Sequence, residues 1–517
     1  MIQAQVDLLE KAFSASDDCF EDLKERLSSK ATKSMTHSNV ETMLETEGRE
    51  LLRCLFDDHL GLRKFAEQAA PVLRVVGEDG VQRDHHRDTE RGLATVFGEV
   101  PVGRIGYGQR GCNSRFPLDA TLNLPRDHFS FGLRKRVAIE SARGSFDEVV
   151  AALARTTGSE VAKRQVEELA RRAAMDFDGF YETRKALTAK DLLAASDILV
   201  LTLDGKGIVV REQDLRPATR KAAQKKRHKM TKRLSPGEKK YRKRMAMVAA
   251  VYTVDRHHRT AEEIAYGPES VGRRPRPRPE AKRVWASIEK DPEKVVREIF
   301  AEALRRDPNK VRKWVALSDG NETQLSLLEK LADEHGVQLT IVVDIIHVLE
   351  YLWDATTAFN PTASTKAEEW VTERLFHVLN GKASDVAGGM RRSATLRKLS
   401  DKDRLAVDDC ADYLLKYHDH LRYDSYLAQG LPIATGVIEG ACRHLIADRM
   451  DITGARWSLA GAEAVLRLRS LRSSGDFDEY WTFHEKQEHA RNHAAFYQDG
   501  KVPAHGNFRR SHLRSLP

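Results

Sequence analysis

The sequence predicts an α/β core, a mixed sheet flanked by helices, that is interrupted by an all-helical insertion and preceded by a mainly helical region. Between residues 193 and 360, strand-like apolar runs alternate with helical periodicity, as in a sheet covered by helices. Residues 361–430 carry only helical periodicity, and residues 431–475 return to complete the core. With 517 residues the chain is too long for one compact core, so several domains are expected.

Composition and charge exclude several classes of protein. Hydrophobic residues make up 41% of the chain and charged residues 31%, unlike a disordered protein. No apolar run approaches the roughly 20 residues that span a bilayer, and the first residues lack a secretion-signal pattern. We therefore expect a cytoplasmic protein with no membrane partner.

The cysteines are far apart and form no C-x-x-C pair. This pattern argues against both a disulfide framework and a zinc ribbon, and it favours reduced thiols. The five residues are Cys19, Cys54, Cys112, Cys410 and Cys442.

Positive charge is concentrated in two segments. Residues 211–244 hold 15 Lys and Arg against three acids, and a second basic cluster covers Gly272–Arg283. Such runs attract polyanions by counterion release, and nucleic acid is the obvious partner. A solvated insertion without a partner is the alternative.

Residues 1–135 predict a helical region with a short β-hairpin. Apolar side chains recur at helical spacing over residues 39–69, and two short strands around a turn are predicted near residues 95–105. Residues 476–517 are expected to form a C-terminal tail.

Residues 136–192 predict a helix-turn-helix-like domain. Ser145 and Glu148 form an S-x-x-E capping box for a helix over 146–155, and Ser159 is placed to cap a second helix over 161–174. DNA recognition by the second helix is one interpretation, and a plain core helix pair is the other. The candidate DNA-binding residues of that helix are Lys163, Arg164, Arg171 and Arg172.

The core elements are predicted in order along the chain. Strands are expected at residues 197–210, 245–254, 311–317 and 337–343. Helices are expected at residues 282–305, 323–335, 345–357, 437–449 and 460–472.

Three acids occupy strand ends or a helix start in this core. Asp204 ends the apolar run 197–203 of the first strand, Asp319 ends a later strand, and Glu439 opens a helix. Acids at the carboxyl ends of neighbouring strands can converge in one crevice, where a helix can add a third. Each acid has a simpler alternative, because Asp-Gly is a common turn and a Glu favours a helix N-terminus.

Three converged carboxylates suit two Mg²⁺ ions, for which Mn²⁺ can substitute. Mg²⁺ prefers oxygen ligands, and a pair of ions can clamp the attacking and leaving oxygens of an in-line displacement at phosphorus. A second feature is Asp344 with His347, which lie on one face of a predicted helix. This pair could bind metal or hold the helix beside the site.

Several segments together resemble the mutator-like DDE transposases of bacterial insertion sequences, most closely the ISKra group. The segments are LTLDGKG, LSDGN, VVDIIHVLEYLW and GVIEGACRHLIADRM, and the similarity extends over most of the chain. The resemblance implies an RNase H-like core in which Asp204, Asp319 and Glu439 are catalytic and bind Mg²⁺. It matches Asp344 and His347 to a supporting C/D-x-x-H signature, and it makes residues 361–430 an insertion domain.

The resemblance also implies DNA contacts. Trp457 is a candidate to stack on a flipped base, with core packing as the alternative. Cys112 stands alone where some relatives carry paired cysteines, so a zinc ribbon is doubtful. Further candidate DNA-binding residues in the basic run are Lys225, Lys226, Arg227, Arg242, Lys243 and Arg244.

The implied function is a transposase that cleaves phosphodiester bonds at element ends and transfers the 3′ ends into target DNA. Because two ends must be cut together, a homodimer or larger assembly is expected. One alternative is a structure-directed RNase H-like nuclease or resolvase. The other is a non-catalytic DNA-binding protein derived from a transposase.

Overall fold

The computed structural model describes residues 12–186, 196–225, 242–267, 275–452 and 454–503. The chain divides into two compact units, one formed by Met1–Glu182 with Phe477–Pro517 and the other by Thr183–Asp476. Residues 136–182, most of the helix-turn-helix-like segment, therefore belong to the same unit as the N-terminal region. No helix in the described part of the chain combines the length and apolar character needed to cross a membrane.

The first unit combines helices with a three-stranded antiparallel sheet of order β1-β2-β3. The strands are β1 His85–Ala94, β2 Glu99–Gln109 and β3 Cys112–Arg115. The helices are α1 Ser14–Ser28, α2 Lys30–Lys33, α3 His37–Ala69, α4 Pro117–Thr121, α5 Phe131–Arg143, α6 Phe146–Thr156, α7 Lys163–Ala173 and α8 Phe177–Glu182.

Helix α3 confirms the helix predicted over residues 39–69. The hairpin is displaced from its predicted position, because residues 95–98 form the turn and not a strand. Thr95 Oγ1 donates a hydrogen bond to the Gly98 carbonyl oxygen over 2.7 Å, which closes this turn locally.

The predicted helix pair is present as α6 and α7. The capping box of Ser145 and Glu148 is formed as expected. Ser159 does not cap α7, because its hydroxyl donates to the Thr95 carbonyl oxygen over 2.8 Å. Apolar side chains of α5, α6 and α7 form one buried cluster that includes Leu133, Leu153 and Leu169.

The C-terminal helix, Phe477–Asn492, occupies part of the segment that was expected to be a tail. Its Tyr480 and Trp481 are buried in the first unit. Tyr480 Oη donates to the Ala173 carbonyl oxygen over 2.6 Å, so the helix is held to the end of α7. Aromatic burial of this kind explains why the segment is folded.

The second unit contains a five-stranded mixed sheet of order β6-β5-β4-β7-β8. Strands β4, β5 and β6 pair antiparallel, whereas β4, β7 and β8 run parallel. The strands are β4 Ile198–Val209, β5 Lys243–Val254, β6 Glu280–Ser287, β7 Lys313–Ser318 and β8 Leu339–Val343. The first six residues of β4 are all buried, as expected for a central strand covered on both faces.

The helices of this unit surround the sheet and form the insertion. Helix α11 packs against β5, and α19 packs against β6. The helices are α9 Pro217–Lys225, α10 Ala261–Ala265, α11 Pro292–Arg306, α12 Glu322–His335, α13 Ile345–Thr356, α14 Thr365–Leu379, α15 Ala383–Leu396, α16 Asp401–Lys416, α17 Tyr423–Ala428, α18 Gly436–Ala441 and α19 Leu459–Ser474.

The helix predicted over residues 282–305 is wrong in its first part. Residues 280–287 form β6, where Val284 and Trp285 are buried against β5. Helix α11 begins only at Pro292, with Asp291 as its N-cap. A Pro at the first helical position after an Asp is a helix-start signal. Apolar periodicity alone does not separate residues 282–291 from the helix that follows them.

Candidate functional site

Asp204 lies inside strand β4 and not at its end. It pairs with Val248 of β5, and the strand continues for five more residues through Gly205 and Gly207. The Asp-Gly turn considered as an alternative is therefore wrong. The side chain is half-buried, and its Oδ1 accepts a hydrogen bond from the Gly205 N–H over 2.5 Å.

Asp319 follows the neighbouring parallel strand at the corresponding level. Thr202 of β4 is aligned with Leu317 of β7. Each acid lies two residues after this aligned pair, so Asp204 and Asp319 are neighbours across the two strands. Asp319 Oδ1 accepts a hydrogen bond from the Asn321 N–H over 2.9 Å.

Two tyrosines, Tyr413 in α16 and Tyr417 directly after it, hold the backbone next to Asp319. Tyr413 Oη donates to the Asp319 carbonyl oxygen over 3.1 Å, and Tyr417 Oη donates to the Gly320 carbonyl oxygen. Gly320 has a φ of +92°, and a Cβ there would lie 3.2 Å from the Tyr417 ring. A glycine suits both constraints. The helical insertion thus contributes directly to the wall beside Asp319.

Glu439 is exposed in the first turn of α18, which packs against β4 and β5. Three residues later, and on the same side of the helix, Cys442 donates its thiol proton to Asp204 Oδ2 over 3.2 Å. Burial raises the pKa of Cys442, and the negative charges of Asp204 and Glu439 raise it further. Cys442 therefore connects the Glu439 helix to Asp204.

A π-helical segment, Cys442–Ala447, follows α18. Such segments are rare and occur frequently at functional sites. Cys442, Tyr413 and Tyr417 are site residues that the sequence analysis missed. Their spacing indicates only helix packing, and their partners lie far away in the sequence.

The acids of this site have no cationic partner among the described residues. No ion pair there involves Asp204, Asp319 or Glu439. The described part of the chain also contains no group of three His, Cys, Asp or Glu side chains close enough to hold a metal ion. The acids are therefore free to accept cations, but in this conformation they do not form a preformed three-ligand cage.

Asp344 and His347 have separate structural roles. Asp344 is fully buried at the start of α13, where Oδ1 accepts from the Ile346 N–H over 2.9 Å and Oδ2 accepts from Thr435 Oγ1. This is an N-cap that also holds the loop before α18. His347 lies one turn further along and is 2.9 Å from Glu350 through Nδ1.

The basic side chains of α7 are exposed, but most have acidic neighbours. Lys163 pairs with Asp147 at 2.7 Å, and Arg172 pairs with Asp127 at 2.6 Å. Arg171 is 3.6 Å from Glu168, whereas Arg164 has no ion pair within the described residues. Exposed pairs of this kind are weak enough to exchange for phosphates.

The candidate DNA-binding residues near the core sheet differ from one another. Lys225 and Arg242 are exposed, whereas Lys226 and Arg227 lie outside the described residues. Lys243 is 4.0 Å from Asp451. Arg244 donates to the carbonyl oxygens of Ile288 and Asp214 over 2.9 and 3.2 Å, which makes it part of the fold.

Trp457 is buried, with 7% of its surface exposed. Its Nε1 donates to the Met450 carbonyl oxygen over 3.0 Å, and its backbone bridges to Val210 beyond the end of β4. The Arg449 guanidinium lies 4.8 Å from its ring centre. These contacts fit the packing alternative and leave no open ring face for a base.

Comparisons with known proteins provide little further information about this site. Neither a protein-family model nor a curated protein matches the chain. Among solved structures, the Drosophila P element transposase strand transfer complex aligns over 70% of this chain and 81% of its own, with 10% identity and a TM-score of 0.25. A likeness this low does not establish a shared fold.

Proposed function

We propose that this chain is a DNA transposase whose second unit is an RNase H-like nuclease and strand-transferase core. The observation that carries the proposal is the placement of Asp204 and Asp319 at the same level of two neighbouring parallel strands, with Asp204 inside β4 and Asp319 directly after β7. The helix that carries Glu439 is linked to the Asp204 carboxylate by the hydrogen bond from Cys442. None of the three acids has a cationic partner among the described residues. Carboxylates that bind metal ions are expected to lack such a partner when no metal is bound.

The donor set fits Mg²⁺, because carboxylate oxygens are the ligands that this ion prefers and phosphate oxygens can complete its shell. Asp204 and Asp319 would hold it, and Glu439 would join them when DNA is present. When bound, two such ions stabilise charge on the attacked phosphodiester and on the departing oxygen. Mn²⁺ would serve as a substitute.

The chain's own residues would position these groups. The hydroxyls of Tyr413 and Tyr417 hold the backbone of Asp319 and Gly320, and Asn321 orients the Asp319 carboxylate. Exposed basic residues, among them Arg164 of α7 and Lys225 and Arg242 near the core sheet, would contact DNA phosphates. Because both ends of an element must be cut together, the active form would be a dimer or a larger assembly.

The proposal is tested with labelled DNA from the boundaries of the element that encodes the chain, incubated with Mg²⁺ and a supercoiled target plasmid. Wild-type protein should cut at the boundary and join the 3′ end to the plasmid. Asp204→Asn, Asp319→Asn and Glu439→Gln should each lose both activities while still binding DNA. Glu322→Gln is a matched control, because Glu322 is an exposed acid three residues from Asp319 that pairs with Lys416.

Three other outcomes would contradict the proposal in different ways. Cutting of branched DNA or RNA–DNA hybrids without joining would indicate a structure-directed nuclease. DNA binding without cutting in any protein would indicate a non-catalytic DNA-binding protein. Cutting that survives all three substitutions would place the active site elsewhere.

A further inference from the structure

A cavity of about 230 Å³ lies in the second unit at the other end of the core sheet. Thr253 of β5 lines it, and Thr253 is five residues along the strand from Val248, the partner of Asp204. That separation corresponds to about 17 Å. The cavity is therefore distinct from the candidate active site. Its cationic lining residues are Arg184, Lys282, Arg283, Arg305, Arg306 and Arg312.

Positive charge in the cavity exceeds the negative charge of the one buried carboxylate below it. Glu302 accepts hydrogen bonds from Arg283, Arg305 and Arg306 over 2.8, 2.7 and 2.6 Å. The carboxylate carries one negative charge, whereas Arg305 and Arg306 alone bring two positive charges to it. Lys282 is exposed and has no ion pair within the described residues.

Arg306 is buried in the cavity wall beside other guanidinium groups. Burial lowers the pKa of Arg306, and the positive charges of Arg305 and Arg283 lower it further despite the contact with Glu302. An anion in the cavity would relieve that repulsion. Asp476, the acid in the cavity wall, is held by Arg184 over 2.7 Å.

Thr253 supplies an independent indication of a ligand. Its side chain is 3% exposed, and Oγ1 has no hydrogen-bond partner in the described part of the chain. A buried hydroxyl without a partner costs free energy and calls for an explanation, such as a bound ligand. Because Thr253 lines the cavity, its hydroxyl is available to a molecule bound there.

The backbone beside Thr253 is shaped irregularly. The pairing of β5 with β6 shifts register between Val251 and Thr253, and Ala281 in β6 has a φ of +46°. The Ala281 carbonyl oxygen accepts from Arg306 Nη1 over 2.5 Å. A non-glycine residue persists in this conformation only where its surroundings impose it. The irregularity thus fixes the Arg306 guanidinium in the cavity wall.

We propose that this cavity binds a phosphoryl group. Guanidinium, ammonium and hydroxyl donors that converge on one small space match the oxygens of phosphate. At about 230 Å³ the cavity is smaller than typical drug-sized sites, so it suits a phosphoryl group with little attached to it. Such a group can come from a small phosphorylated molecule or from a DNA phosphodiester. The proposal does not depend on the activity of Asp204 and Asp319.

The proposal is tested by calorimetric titration of the full chain at constant ionic strength. The affinity is measured for inorganic phosphate, pyrophosphate and a short DNA duplex. The variants are Thr253→Val, which keeps the β-branched shape, and Lys282→Gln. Thr202→Val is the matched control, because Thr202 is also buried with an unpartnered Oγ1 but does not line the cavity.

Wild type and Thr202→Val should bind pyrophosphate equally, whereas Thr253→Val and Lys282→Gln should bind it about tenfold more weakly at unchanged thermal stability. If DNA is the source of the phosphate, pyrophosphate will compete with the duplex, and Lys282→Gln will reduce the salt dependence of DNA binding by about one ion. If a small molecule is the source, duplex binding will be the same in all four proteins. Absence of pyrophosphate binding, or equal affinity in all four proteins, would overturn the proposal.

Discussion

The Cys442 thiol donates a hydrogen bond to Asp204 Oδ2 across 238 residues of sequence. This contact joins the strand that carries one candidate catalytic acid to the helix that carries another. Cys442 is 5% exposed, and burial raises the pKa of its thiol, so the thiol stays protonated and acts as a donor. Cys442 is therefore a positioning residue for Glu439 and Asp204.

Substitutions of Cys442 can distinguish the effect of its hydrogen bond to Asp204 from the effect of its side-chain volume. Cys442→Ala should raise the Mg²⁺ concentration needed for half-maximal DNA cleavage about threefold to tenfold, because a charge-assisted hydrogen bond to Asp204 is lost. Cys442→Ser retains a donor and should restore the wild-type value. A magnesium titration of the cleavage rate measures both. If the Ser and Ala variants behave alike, the thiol acts through its volume and not through its proton.

The candidate catalytic acids should contribute little to stability, because Asp204 and Asp319 have no cationic partner in the described part of the chain. Asp319→Asn keeps the oxygen that accepts from the Asn321 N–H, so the free energy of unfolding should stay unchanged or rise slightly. Asp204→Asn replaces one of the two oxygens that accept from Gly205 and Cys442, so it should cost about 1 kcal/mol. Urea unfolding of each variant gives this quantity.

Asp307 is the matched structural acid for that measurement. It is fully buried, and it accepts hydrogen bonds from the Val311 N–H, the Arg312 N–H and Trp314 Nε1 over 3.1, 3.0 and 2.9 Å. Asp307→Asn replaces one acceptor oxygen by a donor and should cost about 2–4 kcal/mol. Equal losses in Asp204→Asn and Asp307→Asn would mean that Asp204 has a structural function.

The positions of the two aspartates could be predicted only in part. The sequence analysis placed both near the ends of apolar strands, and the structure confirms that Asp319 follows β7. Asp204 is different, because β4 continues through Gly205-Lys206-Gly207. Pairing with β5 sustains the strand there, whereas local propensity predicts a turn. Only the pairing register shows that the two acids are neighbours.

Long-range contacts account for the other differences. Residues 280–287 form a strand because β5 supplies a hydrogen-bonding partner, although their local pattern merges with the helix that follows. Tyr413 is 94 residues from Asp319, so a local pattern contains no sign of that contact. Helix boundaries and caps that depend only on local sequence, such as the capping box of Ser145 and Glu148, were predictable because all the interacting atoms belong to a few consecutive residues.

The Glu302 carboxylate should be a major determinant of stability in the second unit. Burial raises its pKa, but the hydrogen bond from Arg305 and the charges of Arg306 and Arg283 outweigh this and lower the pKa to about 2. Glu302→Gln removes the buried negative charge that faces Arg305 and Arg306 and that Arg283 also contacts. Glu302→Gln should therefore cost about 3–5 kcal/mol of unfolding free energy at neutral pH.

The sign of the pH dependence follows from the lowered pKa. The unfolded Glu has an ordinary pKa near 4.5. Its stabilising contribution is complete above that pH and is lost as the pH falls towards 2. Urea unfolding between pH 6 and pH 3 should show this loss in wild type and a shallower slope in Glu302→Gln. Parallel slopes in the two proteins would contradict the assigned pKa.

His493 should make the first unit sensitive to mild acid. The ring is 6% exposed, and its Nε2–H donates to the Leu124 carbonyl oxygen over 2.8 Å. Burial lowers its pKa to about 4 despite this hydrogen bond. Since the unfolded His has a pKa near 6.5, the neutral ring stabilises the unit fully above that pH, and the contribution is lost as the pH falls towards 4.

The expected loss is on the order of 2–3 kcal/mol between pH 7 and pH 4. Hydrogen exchange of α5 and of the C-terminal helix at several pH values would detect it locally. His493→Gln should flatten the pH dependence, because a Gln does not take up a proton. His37→Gln changes an exposed histidine in the same unit and should leave the dependence as in wild type. If both variants retain the wild-type acid sensitivity, a different group in the first unit must take up the proton.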